Sequence, residues 1–156
     1  MLNKTVRCLL IPIGGGQVLL PNAVVAEVCS CDEPEPVAEN QPNWLLGLIN
    51  WRDQNIPLLS IEEALSLPPA ETIIKKYRTV VVYGLETTQS MPFYAFRAVE
   101  VPRSLTVKEA ELTHSNAEVR MGLVFSATYN DETVWLPDLN YLENLLRKFP
   151  LLLRPT

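Results

Sequence analysis

The sequence predicts a mostly β fold, a small barrel or sandwich with one helix at its C-terminal end. Three observations carry that expectation. Of the 156 residues, 47% are hydrophobic and only 20% charged, so the chain can bury a core and is too apolar to stay disordered. Thirteen prolines argue against long helices, because each removes a backbone donor and clashes with the preceding turn. Apolar residues come mostly in short runs bounded by Gly, Pro, Asn or Asp, the pattern of strands and turns.

The elements follow in order. Val6 to Ile13 reads as a strand: Lys4 and Arg7 before an apolar run faintly mimic a secretion signal, but Pro12 interrupts it. Gly14-Gly15-Gly16 is a hairpin turn, where positive φ costs nothing. Gln17 to Leu20 continues, Pro21-Asn22 breaks, and Ala23 to Ser30 resumes as strand. Asp32 to Gln41 is a polar loop containing Pro34 and Pro36. The dense stretch Trp44 to Trp51 then meets a turn at Arg52-Asp53-Gln54-Asn55 and the strand Ile56 to Leu59. Ile61 to Leu67 is a short helix stopped by Pro68-Pro69.

Arg78 to Gly84, with its Val80-Val81-Val82 centre, suits a strand buried on both faces. Phe93 to Val101 follows the turn-like Thr87-Thr88-Gln89-Ser90, and Leu105 to Leu112 reads as a helical turn or loop. Met121 to Tyr129 and Thr133 to Leu136 form a hairpin around Asn130-Asp131-Glu132. Asp138 caps a helix whose Leu139, Leu142, Leu145, Leu146 and Phe149 share one face, and Pro150 ends it. Nine or ten strands are expected, with no repeat and no linker, so residues 1–156 read as one domain.

Charge and chemistry narrow the function. A net charge of −5 disfavours a phosphate-backbone partner. Between Arg7 and Lys75 nine acids face a single base, Arg52. That asymmetry gives the surface two electrically different ends. Three cysteines (Cys8, Cys29, Cys31) form no disulfide framework and fit a reducing compartment. The one histidine, His114, sits in a polar stretch read as an exposed loop, and Cys29-x-Cys31 lacks zinc-ligand spacing. The triple glycine precedes no Lys-Ser/Thr, so it is no phosphate loop. Glu62 and Glu63 are adjacent on a helix and face different ways, which makes them poor acid–base partners. No catalytic, cofactor or metal residues are assigned. Two rival classes remain: a cysteine-dependent enzyme, for which no local signature exists, and a small β-barrel nucleic-acid binder, for which Trp44 and Trp51 have only Arg52 as a basic companion.

One stretch is more specific. Val25-Ala26-Glu27-Val28 ends a strand; Pro42 and Trp44 follow a loop; then come Leu46-Gly47-Leu48-Ile49-Asn50-Trp51-Arg52-Asp53 and Ile56-Pro57-Leu58-Leu59-Ser60-Ile61. In order, spacing and residue type this resembles the CheW family, the adaptors of bacterial chemosensory arrays. The family pattern reads Val-x-Glu-Ile/Val, aliphatic-Gly-aliphatic-aliphatic-Asn-x-Arg-Gly, then Ile-Pro-aliphatic-aliphatic-Asp-Leu. Arg78 to Gly84 is similar to its buried valine strand, and Trp135-Leu136-Pro137-Asp138-Leu139 to the start of its last helix. Asp53 replaces the glycine after the arginine and Ser60 the aspartate. Where the family has a Gly-x-x-Val-Asp-x-Val strand, this chain has Phe93-Tyr94-Ala95-Phe96-Arg97-Ala98-Val99-Glu100-Val101. These departures resemble a divergent member, of the ChpC type associated with type IV pilus clusters.

The resemblance implies two intertwined SH3-like five-stranded β-barrels sharing one core, with no cofactor and no enzymatic activity. It implies a cytoplasmic scaffold, recruited to receptor arrays at the inner membrane. There it would couple methyl-accepting chemoreceptors to the regulatory domain of a CheA-type histidine kinase. It places partner binding at Val25, Glu27, Gly47, Asn50, Arg52 and Asp53. Structural readings stand beside these. Gly47 and Pro57 suit backbone devices, Trp44 and Trp51 suit the core, and Arg52 could simply pair with Glu27 or Asp53. Asp53 is expected in a tight turn of left-handed geometry, which aspartate tolerates.

Overall fold

The computed structural model describes residues 5–14, 16–30, 33–67, 76–84, 92–108, 113–120, 124–129 and 132–148. They form two sheets. The first takes its strands from both ends of the chain: β1 (Thr5–Ile13), β2 (Gly16–Pro21), β8 (Arg103–Lys108), β9 (Thr113–Arg120), β10 (Val124–Tyr129) and β11 (Glu132–Pro137), in the order β8-β1-β2-β11-β10-β9. The second takes the middle: β3 (Val25–Ser30), β4 (Leu45–Trp51), β5 (Gln54–Leu59), β6 (Arg78–Tyr83) and β7 (Phe93–Ala98), in the order β3-β6-β7-β5-β4. Pairing is antiparallel except at β2–β11 and β5–β7. The first sheet thus encloses the second in sequence, which is the intertwining expected.

Strand alternation sorts the apolar residues into three clusters. Cys8, Leu10, Leu19, Val107 and Val134 line the inside of the first sheet. Ile49, Trp51, Ile56, Leu58, Val81 and Ala95 line the inside of the second. Between the sheets lies the shared core, where Ile11, Val18, Leu20, Leu59, Val80, Val82, Tyr94 and Phe96 meet Trp135 and the helix α2 (Leu139–Arg147). On β6, Val80 and Val82 point to the shared core while Val81 points into the second barrel; on β7, Tyr94 and Phe96 do the same around Ala95. Central strands buried on both faces explain the unbroken valine run. Tyr94 belongs wholly to this interior: burial, helped by the charges of Glu143 and Asp138, pushes its phenol far up.

Local chemistry fixes the ends. Asp138 caps α2, its Oδ1 accepting from the Asn140 N–H at 2.9 Å, and Leu139, Leu142, Leu145 and Leu146 are buried as the pattern requires. Ser60 caps the helix α1 (Ile61–Ala64): its Oγ accepts from the Glu63 N–H and donates to Glu62 Oε1 at 3.2 Å. Glu62 Oε2 accepts from the Gly14 N–H at 2.6 Å, tying the β1–β2 turn to α1. Serine therefore performs the capping that an aspartate would perform here.

Four expectations need correction. Among the described residues eleven strands form rather than nine or ten, and six of them make the first sheet. Leu105 to Lys108 is strand, not a helical turn: Leu105 and Val107 alternate with exposed residues, and β8 pairs with β1. His114 lies in β9, paired with β10, not in a loop, because pairing outweighs the weak strand preference of Thr-His-Ser-Asn. The helix after Ser60 ends at Ala64, three residues short of Leu67. Pro68, Pro69, the Thr87-Thr88-Gln89-Ser90 turn, Asn130, Asp131, Phe149 and Pro150 lie outside the described residues.

Candidate partner-binding surface

The turn between β4 and β5 is built from two residues. Trp51 and Gln54 pair across it, and Arg52 (φ 49°) and Asp53 (φ 62°) both take positive φ. Two left-handed central residues are the mark of a type I′ hairpin turn, whose twist matches the strands it joins. The left-handed geometry expected of Asp53 is present. Arg52 shares that geometry although arginine carries none of the turn preference of Asn, Asp or Gly.

That conformation turns Arg52 outward. Its side chain is 66% exposed, and its Nη2 donates to Glu27 Oε1 at 2.7 Å. Glu27 stands on β3, one edge of the second sheet, and Arg52 at the end of β4, the other edge, so the pair brings the two edges of the curled sheet together. The guanidinium also lies 4.6 Å from the Trp51 ring centroid. From Trp51 the contact continues to Phe93 (centroids 4.7 Å apart) and from Phe93 to Tyr83 (5.6 Å). Tyr83 and Phe93 face each other in the β6–β7 register, and the Gly84 N–H donates to the Pro92 carbonyl just beyond them. The result is a row, Glu27–Arg52–Trp51–Phe93–Tyr83, along one end of the second sheet. Its two ends are accessible and its middle is buried, Trp51 being 6% exposed. The core role expected of Trp51 is thus what the fold gives it. Sequence reasoning missed Tyr83 and Phe93; the available signal was the phenylalanine standing where the resemblance calls for glycine.

The other predicted residues divide. Val25 is half-buried, opposite Val82 and so one residue along β6 from Tyr83. Asn50 is exposed on β4 and lines an open groove with Glu33, Glu35, Leu48, Ile49 and Asn55. Gly47 is buried and presents no side chain. At φ 141° it lies beneath the backbone of Glu35, which exchanges two hydrogen bonds with Leu48; a Cβ on Gly47 would meet the Glu35 carbonyl oxygen at 2.3 Å. The loop it admits is held from the far side by Gln41, whose Oε1 accepts from the Val37 N–H and whose Nε2 donates to the Leu45 carbonyl.

Among the described residues no three His, Cys, Asp or Glu side chains converge as metal ligands. Cys8 is buried, and burial pushes its thiol up, the wrong direction for a nucleophile. What the surface offers instead is an ion pair, a stacked arginine and an accessible aromatic, groups suited to holding another protein.

No curated protein matches the sequence. Among solved structures the scaffolding protein TtCheW from Thermoanaerobacter tengcongensis is similar in fold, with a TM-score of 0.70 and 15% identity over 86% of this chain and 90% of that one. The CheW-like domain family matches residues 7–144, from β1 into α2, and so takes in both sheets and the Arg52 turn. This chain belongs to the CheW-like domain family.

Proposed function

We propose that the protein is a non-enzymatic adaptor coupling methyl-accepting chemoreceptors to the regulatory domain of a CheA-type histidine kinase, in a chemotaxis or pilus-motility pathway. Its place of work is the cytoplasmic face of receptor arrays, and the whole chain acts as one domain. The observation that carries this reading is the CheW-like match over residues 7–144. The TtCheW likeness, a protein described as a scaffold, supports it. No helix among the described residues is long and apolar enough to cross a membrane.

Within this reading, Val25, Glu27, Asn50, Arg52 and Asp53 are the contact residues, and Gly47 serves them by shaping β4. Arg52 is the group on which the reading turns. An exposed ion pair contributes only about 0–1 kcal/mol to folding, so its loss is nearly silent in stability. A desolvated interface arginine is worth more, and Arg52→Glu should weaken binding to kinase or receptor by about tenfold or more. The test is a titration of purified protein with each partner fragment, beside a melting curve. Unfolding of the variant would return Arg52 to a structural role. A folded variant with unaltered binding would remove it from the site, and wild-type protein that binds neither fragment would end the adaptor reading.

A further inference from the structure

We propose that Tyr83 and Phe93 extend the partner-binding surface, and that its occupant is an uncharged protein segment presenting an apolar side chain among acceptor oxygens. The proposal rests on the adaptor reading and adds to it the chemistry of the contact.

Tyr83 is 45% exposed although it is large and apolar, and it ends the row that runs to the exposed Arg52 and its partner Glu27. Within the fold Tyr83 touches Phe93, while Val81 and Val82 before it fill the barrel and the shared core. An accessible aromatic backed by a half-buried one offers rigid apolar area at small entropic cost, the ordinary anchor of a protein contact.

The polar groups of the row point to acceptors on the partner. A guanidinium has five N–H donors, and Glu27 Oε1 engages Nη2. Donors are therefore in excess. Charge then selects the kind of acceptor. Glu27 already pairs with Arg52 and Asp53 follows it in the turn, so an approaching carboxylate meets two negative neighbours. An approaching cation meets the outward guanidinium itself. Backbone carbonyls or side-chain amides beside an apolar residue avoid both conflicts.

The experiment is calorimetric titration of the full chain with two probes, a CheA-type regulatory domain and a receptor cytoplasmic-tip fragment. Because Tyr83 is exposed, Tyr83→Ser should fold normally yet weaken binding to one probe by about tenfold, while Tyr83→Phe stays within about twofold of wild type. Arg52→Lys, which keeps the charge but loses the fork of donors, should also weaken it by about tenfold. Raising salt from about 50 to about 500 mM should move Kd less than about threefold, since no charge pair forms with the partner. Unchanged binding by Tyr83→Ser, with Arg52→Glu still defective, would overturn this inference and leave the adaptor reading standing. A steep salt dependence would overturn the uncharged occupant. Failure of wild-type protein to bind either probe would overturn both readings.

Discussion

Gly47 and Arg52 lie on one strand pair and in one sequence motif, yet the fold uses them in opposite ways. At Gly47 the Glu35 backbone crosses so closely that no Cβ fits, and the residue is buried with nothing to offer a partner. At Arg52 the chain turns through two left-handed residues and projects a guanidinium into solvent, held by Glu27 and the Trp51 face. The first position is set by geometry that no other residue meets. The second is held in a conformation that arginine adopts at a cost, and such outliers persist where surroundings or function demand them. A shared motif therefore mixes residues that make the surface possible with residues that are the surface.

The largest expected effect tests the first half of that contrast. Gly47→Ala puts a methyl where the Glu35 carbonyl stands, at a φ that L-residues rarely take. Either the Glu35–Leu48 bridge opens or β4 shifts, and the loss should be about 3 kcal/mol, or roughly 10 °C in melting temperature for a domain of this size. Thermal unfolding followed by circular dichroism measures it. A loss below about 1 kcal/mol would mean that the crossing is soft, and the distinction between the two positions would fail.

Much of this architecture is legible in the sequence because alternation is. The valine run of β6, the Leu face of α2 and the Gly-rich β1–β2 turn each have a single physical solution, and the structure adopts it. What escapes the sequence depends on partners distant along the chain. Arg103–Lys108 becomes strand because β1 offers it an edge, and the residues around His114 because β10 does. The surface divides likewise. Glu27, Arg52 and Asp53 are visible as motif positions, but the row that links Arg52 to Tyr83 runs through three strands from different parts of the chain, and only folding brings them together.

A smaller effect is expected at the junction of the two sheets. Ser60→Ala removes the cap of α1 and the hydroxyl that holds Glu62, the residue reaching Gly14 across the sheets. Caps of this kind contribute about 1 kcal/mol, and binding should be untouched because Ser60 lies far from Arg52 along β5. Ser60→Asp, which restores the residue of the resemblance, keeps the cap but sets a second carboxylate beside Glu62, so it should recover only part of what the alanine variant loses. If it instead falls as low as the alanine variant, the hydrogen bond from Ser60 to Glu62 matters more than the cap, since a carboxylate cannot donate it.

The smallest effect is expected beside Arg52 itself, and it sharpens the contrast most. Asp53 sits at φ 62°, where glycine is at ease and aspartate is among the tolerated residues. Asp53→Gly relieves that modest left-handed cost. Against this, glycine adds freedom to the unfolded chain, and the local hydrogen bonding with which aspartate favours turns is lost. The opposing terms are each below about 1 kcal/mol, so the net change in unfolding free energy should be too, and partner affinity should hold if Arg52 keeps its place. Chemical denaturation resolves a difference of this size. A loss beyond about 2 kcal/mol would show that the carboxylate itself holds the turn, and Arg52 would then owe its outward posture to Asp53 rather than to Glu27 and Trp51.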